Sequence, residues 1–294
     1  MSRPSLRQAL DAGQFVAAPG IHDMISAVVA NKIGFDFIYS SGYWGTASAH
    51  GLPDAGLATY TEMVERVQTL CRTADASVIA DADTGYGGLL NVDYTVRGYE
   101  RAGVAAIQLE DQEFPKKCGH TPYKRVITKD DMVDKIKVAL DAREKPDDTL
   151  IIARTDARQT EGLEGALERG LAYQDAGADI IFVEALESRD EMYEACRRIS
   201  APMLANMADG GKTPILNARE LEEIGYSIAI FPSITGLSAA AAVENALKVL
   251  KTEGTSSSPQ LELFDFNEFN QLIGFQEIWD FEAKWSADRS HAVK

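Results

Sequence analysis

The sequence has few cysteines and no long hydrophobic run. Its three cysteines, Cys71, Cys118 and Cys196, are widely separated and form no Cys-x-x-Cys pair, which argues against a disulfide framework and a cysteine-based zinc site. A reducing, cytoplasmic environment is therefore expected. No stretch approaches the roughly 18 consecutive apolar residues of a membrane span, and the segment MSRPSLRQALDAGQF lacks the apolar core of a signal peptide. We therefore expect neither membrane insertion nor export.

Positive charge is also scarce. The chain has 29 Lys and Arg residues against 45 Asp and Glu residues, a formal net charge of −16. The basic residues form no stripe of the kind that binds phosphate backbones, so a nucleic-acid partner is not expected. An acidic protein that binds an anion must neutralise the anion locally, with a cationic side chain, a metal ion or inward-pointing amides. Any anionic substrate of this chain therefore requires such a local site.

Short β-branched or aromatic runs recur along the 294 residues. Many of them follow a helix-like stretch that ends in glycine, as at Gly34, Gly103 and Gly225, which is typical of a helix that stops before a buried strand. The runs are continuous and do not alternate with polar residues, which indicates strands covered on both faces and hence a parallel sheet. The predicted strands are Phe15–Ala18, Phe37–Ser41, Ser77–Asp81, Ala105–Leu109, Leu150–Arg154, Asp179–Val183, Met203–Asn206 and Ser227–Phe231.

Eight strand-helix units in about this length predict an α/β fold, a (β/α)₈ TIM-type barrel. A Rossmann fold is the alternative, but no Gly-x-Gly-x-x-Gly follows the first strand. We expect the barrel to span residues 1–250, with the Ala-rich segment 236–250 as its last helix. Residues 251–294 are predicted to form a polar linker and an aromatic C-terminal helical extension. This extension would pack on its own barrel or be exchanged between subunits.

Polar residues follow six successive predicted strands, and in a barrel these ends converge on one mouth, where catalytic residues lie. A single carboxylate after a strand is commonly a helix N-cap, but six converging polar ends indicate an active site. The residues concerned are Ser41 and Tyr43, Asp81 and Asp83, Glu110, Arg154, Glu184, and Asn206.

Three of these residues, Asp81, Asp83 and Glu110, predict a metal site. Without a cation, their carboxylates would repel one another and raise each other's pKa values. An all-oxygen ligand set favours Mg²⁺, with Mn²⁺ as the alternative. Asp83 is the predicted direct ligand. Asp81 could instead accept hydrogen bonds from the following Gly-rich loop, TGYGG, or serve in both roles.

The segment EDQEFPKKCGH places a thiol among cations. Cys118 is preceded by Lys116 and Lys117 and followed closely by His120, and neighbouring positive charge lowers the pKa of a cysteine toward neutrality. The thiol is therefore a candidate general acid or base. Because the sequence arranges no His/Asn or His/Asp relay around it, a proton donor is favoured over a covalent nucleophile. The other two cysteines lie in helix-like segments and are predicted to be structural.

The motifs SSGY, LPDAGLAT, DADTGYG, IQLEDQ, KKCGH, ARTDA and ANMADGGKTP follow one another between about Gln14 and Pro232. In this combination the chain resembles the isocitrate lyase and phosphoenolpyruvate mutase superfamily. Because it has a cysteine in the KKCGH loop, the chain resembles the lyase branch of the superfamily. This branch includes 2,3-dimethylmalate lyase, methylisocitrate lyase, oxaloacetate acetylhydrolase and the petal death protein. Phosphonate mutases lack this cysteine, so phosphorus–carbon chemistry is disfavoured.

The resemblance implies a role for each matching residue. The acidic residues would hold Mg²⁺, Asp83 directly and Asp54, Asp81 and Glu110 through water molecules. The implied substrate-binding residues are Ser41, Gly42, Tyr43, Gly119, Arg154 and Asn206. The implied catalytic residues are Cys118, Lys116, His120, Tyr43 and Glu184. Residues 114–121 would form a gating loop that closes over the substrate and excludes water.

The implied reaction is the cleavage of a carbon–carbon bond. Mg²⁺ would lower the pKa of a 2-hydroxyl group on the substrate. Loss of that proton and of the C–C bond gives a 2-oxo acid, such as pyruvate, and an enolate-like carboxylate that Cys118 protonates. The base for the hydroxyl group stays open between Tyr43, Glu184 and a water molecule on the metal.

The substrate is predicted from the apparent absence of two arginines that the resemblance would lead us to expect for a tricarboxylate. Where methylisocitrate lyases carry arginines for a third carboxylate, this chain has Leu237 and Phe266, and Tyr43 replaces their second glycine. A small 2-hydroxy dicarboxylate, of the 2,3-dimethylmalate or 2-alkylmalate type, is therefore favoured. Trp44, Ser233 and Ile234 are candidates for contacts with its substituents.

Several other functions stay open. Oxaloacetate hydrolysis to oxalate and acetate is the main alternative, followed by methylisocitrate lyase, and then by a phosphonate mutase or a non-catalytic barrel. The family's habit of exchanging a terminal helix, together with the aromatic tail, suggests a homo-oligomer, either a dimer or a tetramer.

Overall fold

The computed structural model describes residues 3–119, 121 and 123–285. Within these residues the strands are β1 (Val16–Pro19), β2 (Phe37–Ser40), β3 (Ser77–Asp81), β4 (Ala106–Glu110), β5 (Leu150–Thr155), β6 (Ile180–Val183), β7 (Leu204–Asn206) and β8 (Ile228–Phe231). The helices are α1 (Leu6–Asp11), α2 (Met24–Ile33), α3 (Gly42–His50), α4 (Tyr60–Thr73), α5 (Leu89–Ala102), α6 (Lys129–Ala142), α7 (Arg158–Asp175), α8 (Arg189–Arg198), α9 (Ala218–Ile224), α10 (Ile234–Glu253), α11 (Phe266–Leu272) and α12 (Phe275–Trp285).

The strands pair in parallel and close into a barrel. Two sheets, ordered β1-β8-β7 and β2-β3-β4-β5-β6, contain all eight strands. Parallel bridges between Gly20 and Tyr39 and between Ile181 and Met203 join the sheets on both sides. The predicted (β/α)₈ class is confirmed, because eight parallel strands with intervening helices form a closed ring.

Each predicted strand overlaps an observed one, and no strand end is displaced by more than one residue. The displacements have local causes. Ser41 was predicted to end β2, but its side chain accepts a hydrogen bond from the Trp44 amide and caps α3. Thr155 extends β5 beyond the predicted end because it pairs with Val183 of β6. Helix caps and pairing with neighbouring strands therefore determine the exact strand ends, which the hydrophobic runs predict only approximately.

Side chains alternate along the strands between two buried layers. An inner cluster inside the barrel includes Tyr39, Ile79 and Ile152, whereas an outer cluster under the helices includes Ile38 and Val78. This alternation explains the continuous hydrophobic runs, because both faces of each strand are covered. Helix α1 contributes Leu6 and Ala9 to the inner cluster. Leu6 lies beside the amino ends of β3, β4 and β5, whereas the polar residues follow the carboxyl ends of the strands, at the opposite mouth.

The chain divides into two compact units between Leu237 and Ser238, within α10. This helix continues to Glu253, past the position where the linker was expected to begin, and the predicted division into residues 1–250 and 251–294 stays a prediction. In the second unit, α11 and α12 contain no buried residue. Exchange of this segment between subunits and a homo-oligomeric state stay predictions as well. Within the described ranges, no helix is both long and apolar enough to cross a membrane.

Candidate active site

A cavity of about 360 Å³ opens at the carboxyl ends of the strands. It brings together the predicted site residues Ser41, Tyr43, Asp54, Asp81, Glu110, Lys116, Cys118, Gly119, Arg154, Glu184 and Asn206. Gly42 contacts Asp81, and Asp83 contacts Lys116. His120 lies outside the described residues. A larger cavity, of about 820 Å³, lies at the amino ends of β3, β4 and β5 and contains none of the predicted site residues. The barrel mouth is therefore the candidate active site.

Asp81, at the end of β3, is held by three donors. Its Oδ2 accepts from the Gly42 amide at 3.1 Å, and its Oδ1 accepts from the Asp83 amide at 3.1 Å and from Gln108 Nε2 at 3.2 Å. Gly42 is needed for this approach, because a side chain there would lie only 2.9 Å from Asp81 Oδ2 and 3.0 Å from Asp83 Oδ1. Asp81 thus accepts hydrogen bonds, but from Gly42, Asp83 and Gln108 and not from the TGYGG loop that the sequence suggested, and its role at a metal site stays a prediction.

Lys116 extends from the gating loop into the acidic cluster. Its buried Nζ lies 2.5 Å from Asp54 Oδ1 and 2.6 Å from Asp83 Oδ1. Burial opposes the charge on Lys116, but the attraction of Asp83 and Asp54 outweighs it and raises the pKa of the ammonium group well above its ordinary value. The ammonium therefore stays charged and binds the gating loop to the mouth.

The carboxylates of this cluster are nevertheless undercompensated. Burial raises the pKa of Asp83 to about 6, and the neighbouring Asp81 and Asp54 add to the effect while Lys116 opposes it. Burial likewise raises the pKa of Glu110 well above its ordinary value, although Arg154 lowers it. Glu110 Oε1 is buried and has no hydrogen-bond partner among the described residues. The repulsion expected from the sequence is therefore present.

These residues fit a hard divalent cation that takes few ligands directly from the protein. The donors are carboxylate oxygens, and the cluster already holds a cation, the Lys116 ammonium, at 2.5 and 2.6 Å. In the part of the chain that the structure describes, no three His, Cys, Asp or Glu side chains are arranged to hold a metal ion by themselves. Mg²⁺ commonly binds through one or two carboxylates with water molecules completing its octahedron, so the donor set suits that ion.

Arg154, at the end of β5, is the centre of a second group of charges. Its Nε lies 2.9 Å from Asp156 Oδ2 and 3.4 Å from Glu110 Oε2, and its Nη2 lies 3.2 Å from Glu184 Oε2. Burial opposes the charge on Arg154, but these carboxylates raise its pKa well above the ordinary value. Asn206 Nδ2 donates to Glu184 Oε2 at 3.0 Å. The guanidinium is therefore fixed in orientation beneath the cavity.

The gating loop lies against this arginine. Gly119 packs so closely on Arg154 and Glu184 that any side chain at position 119 would overlap the guanidinium. On the other side of the loop, Gly56 contacts Pro115 and the Lys116 amide within 3.3 Å of where its Cβ would stand. Residues 114–119 thus lie across the mouth in this structure, and their gating role stays a prediction.

Three residues that the sequence did not single out as site residues hold the loop and the arginine. Gln112 makes two hydrogen bonds to the backbone of Lys117. Lys124 donates to the Gly119 carbonyl oxygen and to Asp156, which in turn binds Arg154. Gln112 and Asp156 lie within the IQLEDQ and ARTDA motifs, whereas the only signal for Lys124 in the sequence is its proximity to KKCGH.

Cys118 is half-buried and lines the cavity. The two lysines that were predicted to surround it are engaged by other groups. Lys116 binds Asp54 and Asp83, and Lys117 Nζ donates to the Tyr123 carbonyl oxygen at 3.2 Å. Thr121 binds the Cys118 carbonyl oxygen through its amide at 3.0 Å and its hydroxyl at 2.7 Å. The structure therefore places the thiol over the cavity, while the predicted electrostatic reason for its reactivity stays a prediction.

One wall of the cavity is apolar and is formed by Trp44, Ile230, Pro232 and Leu237. The Trp44 ring packs directly on the backbone of Gly236, where a side chain would overlap it. Ser233 also lines the cavity. Ile234, which the sequence suggested as a further contact, is absent from the lining residues and is half exposed at the start of α10.

Comparison with known proteins identifies relatives of similar length. The model of the family described as phosphoenolpyruvate phosphomutase matches residues 6–251. The chain is 47% identical over 284 residues to the 2,3-dimethylmalate lyase of Eubacterium barkeri, covering 97% of this chain and 98% of that protein. It is 44% identical over 288 residues to the 2-methylisocitrate lyase of Aeropyrum pernix, covering 97% and 92%.

Solved structures share the same architecture. Oxaloacetate acetylhydrolase in complex with the inhibitor 3,3-difluorooxalacetate matches with a TM-score of 0.90 and 32% identity, covering 95% of both chains. Phosphonopyruvate hydrolase in complex with oxalate and Mg²⁺ matches with a TM-score of 0.85 and 28% identity, covering 95% of this chain and 97% of that one. The resemblance seen in the motifs is confirmed, and the chain belongs to the phosphoenolpyruvate phosphomutase family.

Proposed function

We propose that the chain is a Mg²⁺-dependent carbon–carbon lyase that cleaves a small 2-hydroxy dicarboxylate of the 2,3-dimethylmalate or 2-alkylmalate type. The products are a 2-oxo acid, such as pyruvate, and a carboxylate. The enzyme class predicted from the sequence is confirmed by the lyases among the relatives. The observation that carries the proposal is the convergence of an acidic cluster, a fixed arginine and a loop thiol on one cavity of about 360 Å³.

Arg154 and the acidic cluster of Asp54, Asp81, Asp83 and Glu110 suit different parts of this substrate. Arg154 presents a fixed guanidinium to a substrate carboxylate, which it can bind through a charge-assisted hydrogen bond. When bound at the acidic cluster, Mg²⁺ supplies a Lewis acid that lowers the pKa of the 2-hydroxyl group. We assign Asp83 as its direct ligand, with Asp54, Asp81 and Glu110 acting through water. At the start of α3, Ser41 and Tyr43 line the cavity, and the Gly42 amide donates to Asp81 of this cluster.

The bond changes balance without any further reactant. A base removes the hydroxyl proton, the oxygen electrons form the carbonyl group of the 2-oxo acid, and the C2–C3 bond electrons pass to the departing carboxylate. The Cys118 thiol donates its proton to the resulting carbanionic carbon, and the proton taken from the hydroxyl group restores the thiol over the cycle. Closure of residues 114–121 excludes water and prevents premature protonation.

The choice of base is narrowed by the contacts of Glu184. Its Oε1 accepts from the Ala185 amide at 2.7 Å, and its Oε2 binds both Asn206 and Arg154. With both oxygens engaged, Glu184 suits the orientation of Arg154 better than the removal of a proton. Tyr43 lines the cavity and is 43% exposed, so its hydroxyl group has the greater freedom to reach a substrate.

The apolar wall supports the choice of an alkyl-substituted dicarboxylate. Trp44, Ile230, Pro232 and Leu237 offer dispersion contacts to a methyl group but no charge for a third carboxylate. The position where an arginine was expected in methylisocitrate lyases is occupied by Leu237, which lines the cavity. A tricarboxylate would therefore leave one charge without a partner at this wall.

Oxaloacetate hydrolysis is the second candidate, because an oxaloacetate acetylhydrolase matches this fold with a TM-score of 0.90. The hydrate of oxaloacetate carries the same 2-hydroxyl group and two carboxylates. Its cleavage yields oxalate and acetate and places the same demands on Arg154 and Cys118.

Further proposals concern assembly and location. The exposed aromatic side chains of α11 and α12 support a homo-oligomer, a dimer or a tetramer. All three cysteines lie within the described residues and are thiols, not disulfides, which supports a reducing, cytoplasmic location.

A substrate panel tests the proposal. With Mg²⁺ present, the protein is incubated with 2,3-dimethylmalate, 2-methylmalates, methylisocitrate or oxaloacetate, and 2-oxo acid and oxalate are measured. We expect the fastest turnover with 2,3-dimethylmalate or a 2-alkylmalate, and a fall in kcat of about 10²- to 10⁴-fold in Cys118→Ser. Cys196→Ser, on α8, is the matched control. The lyase proposal fails if no substrate is cleaved, and preferential cleavage of oxaloacetate supports the second candidate.

A further inference from the structure

The backbone on both sides of Cys118 is held by two side chains, those of Gln112 and Lys124. Before the cysteine, Gln112 Oε1 accepts from the Lys117 amide at 3.0 Å, and Gln112 Nε2 donates to the Lys117 carbonyl oxygen at 2.8 Å. Gln112 is only 2% exposed. These two hydrogen bonds satisfy the backbone amide and the carbonyl oxygen of Lys117, and they fix the peptide immediately before Cys118.

After the cysteine, Lys124 performs the corresponding task. Its Nζ donates to the Gly119 carbonyl oxygen and lies 2.8 Å from Asp156 Oδ1. The side chains of Lys124 and Asp156 are 1% and 0% exposed, so this contact is shielded from solvent. An ion pair in such surroundings is held firmly because water cannot compete for either charge.

Asp156 extends this contact to the substrate-binding arginine. Its Oδ2 accepts from Arg154 Nε at 2.9 Å, and its Oδ1 accepts from Arg154 Nη2 at 3.1 Å. The same carboxylate therefore binds the guanidinium through both oxygens and the Lys124 ammonium through one. A continuous path runs from the Gly119 carbonyl oxygen through Lys124 and Asp156 to Arg154.

We propose that Gln112 and Lys124 are positioning residues that fix Cys118 from its two neighbours, and that Lys124 also links loop closure to the alignment of Arg154. The proposal rests on the proposed lyase function, in which the thiol and the guanidinium must act on one substrate. Gln112 controls only the loop, whereas Lys124 controls the loop and the arginine. The two residues therefore have separable effects.

The difference appears in the kinetic constants. We expect Gln112→Ala to lower kcat by about 10²-fold, as for a catalytic group displaced by about 1 Å, with KM little changed. Lys124→Met is expected to lower kcat by a similar factor and also to raise KM, because Arg154 loses part of its support. Gln68→Ala on α4 and Lys137→Met on α6, which change exposed side chains of the same types, are matched controls and should leave both constants unchanged.

A second measurement does not depend on turnover. Alkylation of Cys118 by iodoacetamide is followed by peptide mass spectrometry, with the peptides of Cys71 and Cys196 as internal references. Loss of the two Gln112 hydrogen bonds, or of the charge-assisted Lys124 hydrogen bond, to the closed loop should increase the rate at Cys118 by about tenfold or more in each variant. The control variants should react at the rate of the unaltered protein.

The outcomes separate the inference from the function on which it rests. Unaltered alkylation rates in both variants overturn the anchoring of the loop. Faster alkylation with unaltered kcat overturns the positioning role. If the unaltered protein cleaves no substrate, the proposed function fails while alkylation still decides the anchoring. If Lys124→Met does not fold, as judged by circular dichroism, Lys124→Gln takes its place in testing the link to Arg154, and Gln112→Ala still tests the anchoring of the loop. An unchanged KM in the folded Lys124 variant overturns the link to Arg154.

Discussion

The two halves of the barrel mouth differ in how their charges are balanced. In the acidic half, four carboxylates, Asp54, Asp81, Asp83 and Glu110, surround one ammonium group, that of Lys116. In the arginine half, the carboxylates of Asp156 and Glu184 are matched by the cations of Arg154 and Lys124. Both halves are buried, so the difference lies in charge and not in exposure.

The pKa values follow this difference in charge balance. Burial raises the pKa of Asp83 to about 6 in the acidic half. In the arginine half, burial acts in the same direction on Asp156, but Arg154 and Lys124 outweigh it and hold the pKa of this carboxyl well below its ordinary value. The carboxylates of the arginine half are therefore balanced by cations of the protein, whereas an additional cation stabilises the acidic half. Glu110 interacts with both halves, because its Oε2 lies 3.4 Å from Arg154 Nε and the charges of Lys116 and Asp81 also act on its carboxyl.

Removing the central cation of the balanced half should have the largest effect on stability. Arg154→Met leaves Asp156, Glu184 and Glu110 with less compensation in a buried site. We expect the free energy of unfolding, measured by urea denaturation, to fall by about 3–5 kcal/mol. Arg101→Met, at a side chain that is 70% exposed, is the control. A loss no larger than that of the control would show that the arginine half is not held by its charges.

Adding a cation to the acidic half should raise stability. An ion that binds only the folded chain, as we propose for Mg²⁺, should at 100 times its Kd increase the free energy of unfolding by about 2.7 kcal/mol. Thermal unfolding with and without Mg²⁺ measures the effect, which should disappear in Asp83→Asn and persist in Asp134→Asn, at an exposed position on α6. Equal stabilisation of both variants would remove Asp83 from the metal site.

The comparison also shows which parts of the mouth the sequence could predict. Asp81, Glu110, Arg154 and Glu184 were predicted because each lies at or directly after the end of a strand, and the barrel brings all such ends together. Their positions depend on local patterns and on one topological rule. The same reasoning located the strands to within one residue.

The ion pairs of the loop lysines could not be predicted in this way, because they join residues distant along the chain. Lys116 was expected to act on the neighbouring thiol, but its ammonium group binds Asp54 and Asp83, more than 30 residues away in sequence. Lys124 was not singled out, although it is buried and contacts Asp156. A lysine in a polar loop is ordinarily exposed, so only the folded loop reveals these roles.

A substitution in the apolar wall of the cavity should have the smallest effect, a change in substrate preference. Leu237 lines the cavity and is 47% exposed, so an arginine at this position could reach a third substrate carboxylate while remaining partly solvated. Leu237→Arg should raise the ratio of kcat/KM for methylisocitrate to that for 2,3-dimethylmalate about fivefold, or ~1 kcal/mol, as for a partly exposed ion pair. Leu247→Arg, an exposed position on the same helix, controls for added charge. An equal ratio in both variants would mean that the wall does not contact the substituent, and the argument from the missing arginine would lose its structural basis.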